Sequence, residues 1–443
     1  MKKTIISLSV ITALTLIAAP YFTGKAAESM TENMISKINQ SPDKYGITEI
    51  TSYERQAYNS STNIKHTLPA FLTEGKKDIS LDYHCDNKHR IWGITYECKI
   101  IGNEDYTKFI TESFNGKDPI SIFGSINILG HIEETLQVDA FELQEDDAII
   151  NVTKSSMTFN SDKDLEQISL KGHSDGINTS FSRDNKTLTF GKMDIDSELF
   201  KSPSGLWFGN ATLSLNSIEA KKNGSTTWLK GLRISSNTQE SGDTSSSKST
   251  IIIDEVQNQS SQYKHLENAT LSINTQGLNT QALVDFQTFY NKMQQEAFDA
   301  LESGQEPNFA PEQAVEIIPI IENMLVAGLN IDFGLSGKID GHPNDIKLDI
   351  KLLDKLSMSD IMTATYAPEE FIKKLELSLS TEIAKEMLDT EPMAAARLEN
   401  NPLIKANGDS YSLDLKLAKT ISLNGKEISF QEFQNVLMSN AMN

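Results

Sequence analysis

The sequence contains few of the residues that usually build catalytic or metal-binding sites. Its 443 residues include two cysteines and seven histidines, and no histidine has a convincing partner at motif spacing. It has neither the Gly-x-Ser-x-Gly elbow of many hydrolases nor a Walker phosphate-binding loop. Its acidic residues are too numerous for one pair to stand out as a general acid and base. We therefore predict no enzymatic activity, no cofactor and no bound metal.

Basic residues are scarce relative to acidic ones. Forty lysines and arginines stand against 61 aspartates and glutamates, which gives a net charge of −21. A chain this acidic repels phosphate groups, which argues against nucleic acid as a partner and against a basic patch for anionic lipids. Hydrophobic residues make up 38% of the chain and recur in ordered patterns, so the composition does not indicate an intrinsically disordered chain.

Two groups of potential metal ligands occur in predicted strands. In the first, His84 and Cys85 are adjacent and point to opposite faces of a strand, so they do not converge with His89. The second group is a set of alternating carboxylates that share one face and would suit calcium: Asp194, Asp196 and Glu198. We interpret this set as a solvated strand face, because water screens carboxylates on an exposed strand.

One long stretch near the beginning of the chain lacks charge altogether. After Lys2 and Lys3, no charged residue occurs from Thr4 to Gly24, and a helix of this length reaches about 30 Å, the thickness of a hydrocarbon core. Its branched aliphatic side chains include Ile5, Leu8, Ile11, Leu14, Leu16 and Ile17. The paired lysines are expected to stay in the cytoplasm, which places the rest of the chain outside.

This segment has two main interpretations. A basic start and a short apolar run are typical of a cleaved secretory signal. Cleavage requires small residues at alternate positions before the cut, and Ala18-Ala19-Pro20-Tyr21 is a poor match, as is Ala26-Ala27. We therefore predict a retained signal anchor over residues 1–24, with a buried core helix as the remaining alternative. Both main interpretations export the rest of the chain.

The two cysteines lie in a stretch with the pattern of a β-hairpin. We predict strands at 79–86 and 91–101, joined by a turn at 87–90. A cross-strand disulfide between Cys85 and Cys98 would suit an exported protein and would contribute about 3 kcal/mol in the chain-entropy model. Two unpaired thiols remain the alternative, because the sequence does not fix which positions face each other.

Patterns along the rest of the chain divide it into three regions. Residues 25–41 predict a helical stalk that continues the membrane segment. From 42 to 276, apolar residues alternate with Ser, Thr and Asn, which predicts antiparallel strands; the low-complexity stretch Ser235–Thr250 is interpreted as a solvated loop. Residues 277–443 mix helices with further strands of the same sheet.

The last region contains the most distinct local signals. Amphipathic patterns predict helices at Thr280–Ser303 and from Pro311 to Gly328, and a third from Ile383 to Leu398. Asn424-Gly425 predicts a tight hairpin turn. The fold class expected is α+β, mainly antiparallel β: an extended curved sheet with amphipathic helices packed on one face, plus an N-terminal membrane helix.

Several segments, in this order, resemble the YdgA-like family of bacterial envelope proteins, a domain of unknown function. Beside the apolar run, Tyr21, Thr23, Gly24, Lys25 and Glu28 fit its Tyr-x-Thr-Gly-Lys-x-x-Glu signature. Similar segments follow at Ser204–Leu215, Leu229–Ser236, Asn268–Ile273 and Leu278–Leu283, and at the Asn424-Gly425 hairpin. The resemblance implies a single-pass protein of the bacterial inner membrane, dimeric, with the bulk of the chain in the periplasm. Pro20, Cys85 and Cys98 are not part of the family pattern.

The resemblance supplies no catalytic residues. We therefore expect a non-enzymatic, membrane-anchored periplasmic protein that binds a protein partner or an apolar envelope component such as a lipid, because long one-faced strands and helices rich in Phe and Met suit such a ligand. One alternative is a structural or assembly protein that acts as a homodimer. Another is a hydrolase of envelope polymers, which would need polar residues that converge in one cleft.

Overall fold

The fold was analysed in a computed structural model. It describes residues 23–26, 28–33, 35–37, 39, 46–68, 78–101, 104–145, 147–258, 265–303, 305, 311–364, 368–388, 401 and 403–441. The predicted membrane segment, apart from Thr23 and Gly24, lies outside these residues. Among the helices that are described, none is both long enough and apolar enough to cross a membrane.

The described residues form mainly antiparallel β-structure, as predicted. The strands are β1 Ile47–Arg55, β2 Asn59–Leu68, β3 Ile79–Arg90, β4 Gly93–Ile101, β5 Ile120–Asn127, β6 Ile132–Val138, β7 Phe141–Glu145, β8 Ala148–Val152, β9 Ser155–Ser161, β10 Gln167–Ser174, β11 Ile177–Phe181, β12 Lys186–Phe190, β13 Met193–Lys201, β14 Trp207–Lys222, β15 Ser225–Ser241, β16 Thr244–Asn258, β17 His265–Asn279, β18 Asn330–Ile339, β19 His342–Leu352, β20 Leu375–Ala384, β21 Lys405–Asn407, β22 Ser410–Leu417, β23 Ile421–Leu423 and β24 Lys426–Ile428. The helices are α1 Glu104–Phe114, α2 Thr280–Glu302, α3 Pro311–Met324, α4 Met358–Thr363, α5 Pro368–Ile372 and α6 Phe430–Ala441, with a 3₁₀ turn at Lys385–Leu388. The described residues from 23 to 39 are also helical and are called the N-terminal helix.

The chain divides into two compact units. The first comprises residues 1–181, 193–201 and 290–308, and the second comprises residues 182–192, 202–289 and 309–443. In the first unit the strands pair in the order β1-β2-β3-β4-β5-β6-β9-β10-β13, with every neighbouring pair antiparallel. Strands β7, β8 and β11 form a smaller ladder within the same unit.

The second unit contains a second antiparallel ladder. Its order is β12-β14-β15-β16-β17-β18-β19-β20-β22-β23-β24, and β21 also pairs with β22. The turn between β23 and β24 has positive φ at Asn424 (52°) and Gly425 (79°), as the predicted Asn-Gly hairpin requires. Helices α2 and α3 occupy the positions predicted for them.

Each unit has its own small buried core. In the first, Ile94, Ile126 and Ile132 pack together under Met30 of the N-terminal helix. In the second, the cluster consists of Leu329, Leu352, Leu356 and Leu375. The alternation of apolar and polar side chains along the strands explains both cores, because each strand buries one face and exposes the other.

Three local predictions were wrong. The stretch Ser235–Thr250 is not a loop but the paired ends of β15 and β16, which reverse at Gly242 and Asp243. Its serines and threonines lie between β14 and β17. The backbone N–H and C=O groups of these residues therefore bond to neighbouring strands, whereas the composition had suggested that they bond to water.

The turn of the cysteine hairpin is Ile91-Trp92, because β3 continues through the predicted turn at 87–90. The predicted helix Ile383–Leu398 begins inside β20 and continues as the 3₁₀ turn; 389–398 lie outside the described residues. Helix α1 was not predicted.

Candidate functional site

The cysteine hairpin is the first feature of the candidate site. Cys85 and Cys98 face each other directly across β3 and β4, and their sulfur atoms are joined in a disulfide. Both residues are buried, and their side chains lie on the sheet face that also carries Ile94. The disulfide therefore links the two strands within the interior of the first unit. His84 points to the other face, where its Nδ1 lies 2.7 Å from the side-chain oxygen of Asn63.

Beside the disulfide lies a cluster of buried polar side chains. Asn87 donates from Nδ2 to the hydroxyl oxygens of Ser60 (3.1 Å) and Thr62 (3.0 Å). The ring of His89 has Nε2 3.1 Å from Ser60 Oγ and Nδ1 3.4 Å from the carbonyl oxygen of Ala57. Because a carbonyl can only accept, Nδ1 is the donor in its contact with Ala57. The Ser60 hydroxyl also donates to the hydroxyl oxygen of Tyr53 at 3.2 Å. All four side chains of the cluster are buried.

The N-terminal helix closes this cluster with the residues of the Thr-Gly-Lys signature. Thr23 is buried, and its hydroxyl donates a 2.7 Å hydrogen bond to the carbonyl oxygen of Arg90. Gly24 lies against the ring of His89, so that a Cβ atom at this position would be 2.3 Å from Cε1 of the ring. No side chain fits there without displacement of the histidine.

Glu28 completes the docking of the helix. Its carboxylate accepts a 2.7 Å charge-assisted hydrogen bond from Arg55 at the end of β1, and both side chains are about a quarter exposed, at 30% and 23%. Lys25, by contrast, is exposed, and Tyr21 lies outside the described residues. Farther along, Asn39 donates to the carbonyl oxygen of Thr48 and accepts from its backbone N–H. The helix predicted as a stalk therefore lies along the sheet.

His89 is the titratable group at the centre of this contact. Its burial lowers the pKa of the imidazole, and the positive charge of Arg55 lowers it further, against the opposing effect of the Ala57 carbonyl. The histidine is therefore neutral in the folded protein at neutral pH. The sequence grouped His89 only with His84 and Cys85 as potential metal ligands; its contact with the N-terminal helix follows from the register of β2 and β3.

The opposite face of the same strands carries a polar cleft of about 730 Å³. Its lining includes the acidic side chains of Glu54, Asp86, Glu97 and Glu133, together with Phe123. Asp86 and Glu97 are directly paired across β3 and β4, and both are exposed to solvent. Among the described residues, no group of histidine, cysteine or acidic side chains is arranged to hold a metal ion.

The alternating carboxylates of β13 have a different environment from a calcium site. Asp194 accepts from Nδ1 of His173 at 2.7 Å, and Asp175 lies 3.0 Å from Nε2 of the same ring. These two carboxylates raise the pKa of the exposed imidazole. The sequence indicated the shared face of the carboxylates but not the histidine on the neighbouring strand.

In the second unit, one face of the sheet is apolar over many strands. A single cross-strand row contains Leu213, Ile234, Ile251, Leu271, Leu335 and Ile346. The next row adds Ile273, Phe333 and Leu348. Ile234, Ile273 and Leu335 are each 40–42% exposed, whereas the core of this unit lies toward the other end of the same strands.

The polar face of this sheet contains a pair of like charges. Asp332 and Asp349 are directly opposite across β18 and β19. Desolvation of its carboxyl group, a hydrogen bond to Asp332 and the negative charge of Asp332 all raise the pKa of Asp349. Asp332 in turn accepts from the side-chain amide of Asn274 at 2.7 Å. The sequence places both aspartates on strands, but their pairing depends on register, which no sequence signal fixed.

Comparison with known proteins identifies the chain at the level of a family. The family profile described as "Bacterial protein of unknown function (DUF945)" matches residues 1–431, nearly the whole length. No curated protein and no solved structure matches the chain. The matched range includes the N-terminal helix, its buried polar contacts, the whole of the first unit and the second unit up to residue 431. The chain therefore belongs to the DUF945 family of bacterial proteins of unknown function.

Proposed function

We propose that this protein is a non-enzymatic envelope protein that binds an acyl chain on the apolar sheet face of its second unit. In this proposal residues 1–24 anchor it in the bacterial inner membrane and the remainder lies in the periplasm. We also assign it, within its family, to the YdgA-like members that the Tyr21–Glu28 signature resembles. The apolar cross-strand row of the second unit is the observation that carries the binding proposal.

The location is supported by two independent features. Lys2 and Lys3 precede an uncharged stretch long enough to span a hydrocarbon core, and positive residues favour the cytoplasmic side. The disulfide between Cys85 and Cys98 suits an oxidising compartment such as the periplasm and is rare in cytosolic proteins.

An acyl chain fits the dimensions of the apolar face. The row from Leu213 to Ile346 crosses six neighbouring strands, and at about 4.8 Å per strand it extends about 24 Å. One leaflet of a bilayer is about 15 Å of hydrocarbon, so the row is longer than one acyl chain. Apolar surface that is partly exposed over this length is typical of binding sites.

The charge distribution supports the same ligand class. Neither the row that begins at Leu213 nor the row that contains Ile273 has a charged side chain. The members of the second row that were not named above are Ala211, Ser236 and Ser249. Arg233, Asp254 and Lys347 lie on the other face of these strands. An acyl chain is therefore accommodated without the burial of an unpaired charge, which would be costly.

Native mass spectrometry of the full chain after gentle extraction tests this proposal. The wild type is expected to carry co-purified lipid, and the double variant Ile234→Gln/Leu335→Gln is expected to lose most of it. The matched control Ser235→Gln/Ser336→Gln places the same side chains on the opposite face and is expected to retain the lipid. A wild-type protein that is free of lipid under these conditions would overturn the proposal.

The homodimer expected as an alternative would use the same apolar face, paired with that of a second copy. Light scattering of the extracted protein distinguishes the two: a dimer that the double variant converts to a monomer, without bound lipid, favours assembly. A hydrolase could act in the cleft of the first unit, where Asp86 and Glu97 are paired. We do not adopt it, because both carboxylates are exposed, and a general acid at neutral pH needs a desolvated carboxyl group.

A further inference from the structure

Three turns of the first unit meet beside the beginning of the N-terminal helix. The N–H of His89 donates to the carbonyl oxygen of Tyr58, and the N–H of Ile128 donates to that of Trp92, both at 2.8 Å. These bonds join the β1–β2, β3–β4 and β5–β6 turns at one end of the sheet. Thr23 adds the helix to the same end through its 2.7 Å bond to Arg90.

The side chains that project from these turns are large, apolar and exposed. Tyr58, Trp92, Ile128 and Leu129 are 55%, 74%, 51% and 83% exposed, and together they are called the apolar tip. Single exposed apolar residues are ordinary, but these four lie on turns that backbone hydrogen bonds join at one end of the sheet. Trp92 and Leu129 are among the most exposed large hydrophobic residues that the structure describes.

Hydrogen bonds within the β5–β6 turn fix the conformation of the part of the apolar tip that contains Leu129. The side-chain oxygen of Asn127 accepts from the N–H groups of Leu129 (2.9 Å) and His131 (3.0 Å), and the carbonyl oxygen of Asn127 accepts from Gly130 (2.9 Å). Gly130 adopts a φ of 85°, which lets the turn close. Leu129 is therefore presented outward by an ordered turn, and little conformational entropy remains to be lost when it is buried.

We propose that the apolar tip inserts into the periplasmic leaflet of the membrane that anchors the chain. This inference rests on the proposed membrane anchor. The last two residues of the predicted anchor, Thr23 and Gly24, are already packed on the first unit, and Thr23 is bonded to Arg90 at the end of β3, so no spacer separates the anchor from the apolar tip. The tip is thus held at the membrane surface at high effective concentration, where weak insertion suffices.

The chemistry of the apolar tip suits the interfacial zone of a bilayer. Tryptophan and tyrosine are enriched at membrane interfaces because their rings are apolar with one polar edge. The exposed side chains of Lys25 and Arg90 flank the beginning of the helix and would reach lipid phosphates. With a net charge of −21, the protein as a whole is repelled by anionic lipids, so apolar insertion rather than charge has to provide the attraction.

Depth-dependent fluorescence quenching tests this inference on the full chain. The protein has three tryptophans, so the variant Trp207→Phe/Trp228→Phe leaves Trp92 as the single reporter. It is reconstituted in phosphatidylcholine vesicles with unlabelled lipid or with lipid brominated near the upper part of the acyl chains. We expect bromine to quench the emission of Trp92 by about twofold, as for a ring at interfacial depth.

The matched control is Trp92→Phe/Trp207→Phe, which leaves Trp228 in β15 as the reporter and is expected to show no quenching. Vesicle flotation is measured on the same samples. The protein can float with the vesicles while Trp92 is not quenched, or while Trp228 is quenched equally. Either result would overturn the insertion of the apolar tip and would still support the membrane anchor. If the protein does not float, the proposed anchor is overturned and this inference with it.

Discussion

The hydroxyl of Thr23 donates a 2.7 Å hydrogen bond to the carbonyl oxygen of Arg90, a residue 67 positions later in the chain. The bond ties the first described turn of the N-terminal helix to the β3–β4 turn. With Gly24 against His89 and Glu28 paired with Arg55, it accounts for three positions of the Tyr-x-Thr-Gly-Lys-x-x-Glu signature as helix-docking residues. These three positions therefore have a structural explanation that needs no ligand.

Gly24→Ala is expected to weaken this docking. The new Cβ would lie 2.3 Å from the ring of His89, so the helix or the buried histidine has to move. Overpacking of this kind typically costs about 1–3 kcal/mol of the free energy of unfolding. The measurements are the midpoint of urea unfolding and the amide hydrogen exchange of the N-terminal helix.

Lys25→Ala is the matched control for this substitution. Lys25 is exposed on the same helical turn, so its replacement is expected to leave both measurements unchanged within about 0.5 kcal/mol. Equal behaviour of the two variants would contradict the close packing of Gly24 on His89.

The disulfide gives a second prediction. Cys85→Ala/Cys98→Ala opens a cross-link between residues 13 positions apart and is expected to lower the free energy of unfolding by about 3 kcal/mol in the chain-entropy model. Wild-type protein treated with a reductant is expected to show a similar shift in its unfolding midpoint. An unchanged midpoint in both samples would show that the covalent link does not stabilise the first unit.

The alternation of residues predicted most of the fold because it is a local property of each strand. It predicted the antiparallel strands, while two other local signals, amphipathic periodicity and the Asn-Gly pair, predicted helices α2 and α3 and the Asn424-Gly425 hairpin. It failed at Ser235–Thr250, where composition suggested a loop and the partners on both sides, β14 and β17, determine the strand. Strand partners are non-local, so a single sequence does not reveal them.

The same limit explains what was missed in the candidate site. The Thr-Gly-Lys signature and the cysteine pair could be singled out, since both are local patterns. The contact of Gly24 with His89 depends on the register of β2 and β3 and on where the helix docks. The sequence also predicts the turn of the cysteine hairpin at 87–90, and His89 would be solvent-exposed in such a turn, whereas it lies in β3.

His89 gives a prediction about pH. Burial lowers its pKa in the folded protein below the value of about 6.5 expected in the unfolded chain, so protonation favours unfolding. The stability associated with neutral His89 is fully present above about pH 6.5 and is lost as the pH falls toward the lowered pKa, by at most about 1.4 kcal/mol per pH unit.

The measurement is the unfolding free energy between pH 7 and 5 for the wild type and for His89→Asn. The wild type is expected to lose more stability over this interval, since the variant lacks the titrating ring and keeps the other ionisable groups. Parallel curves for the two proteins would show that the imidazole is not desolvated in the folded state.

The aspartate pair in the second unit gives the last prediction. Asp332 and Asp349 face each other directly across β18 and β19, and like charges in such positions are destabilising. Asp349→Asn is therefore expected to raise the free energy of unfolding at neutral pH. The gain should be about 0.5 kcal/mol, because Asp349 is exposed and water screens the repulsion.

The pKa of Asp349 is raised in the folded protein, so proton binding favours the folded state and the wild type gains stability as the pH falls through that pKa. The advantage of the variant should consequently disappear at about pH 3, where the carboxyl is protonated. A gain that persists unchanged at that pH would assign the effect to the amide side chain rather than to the relief of repulsion.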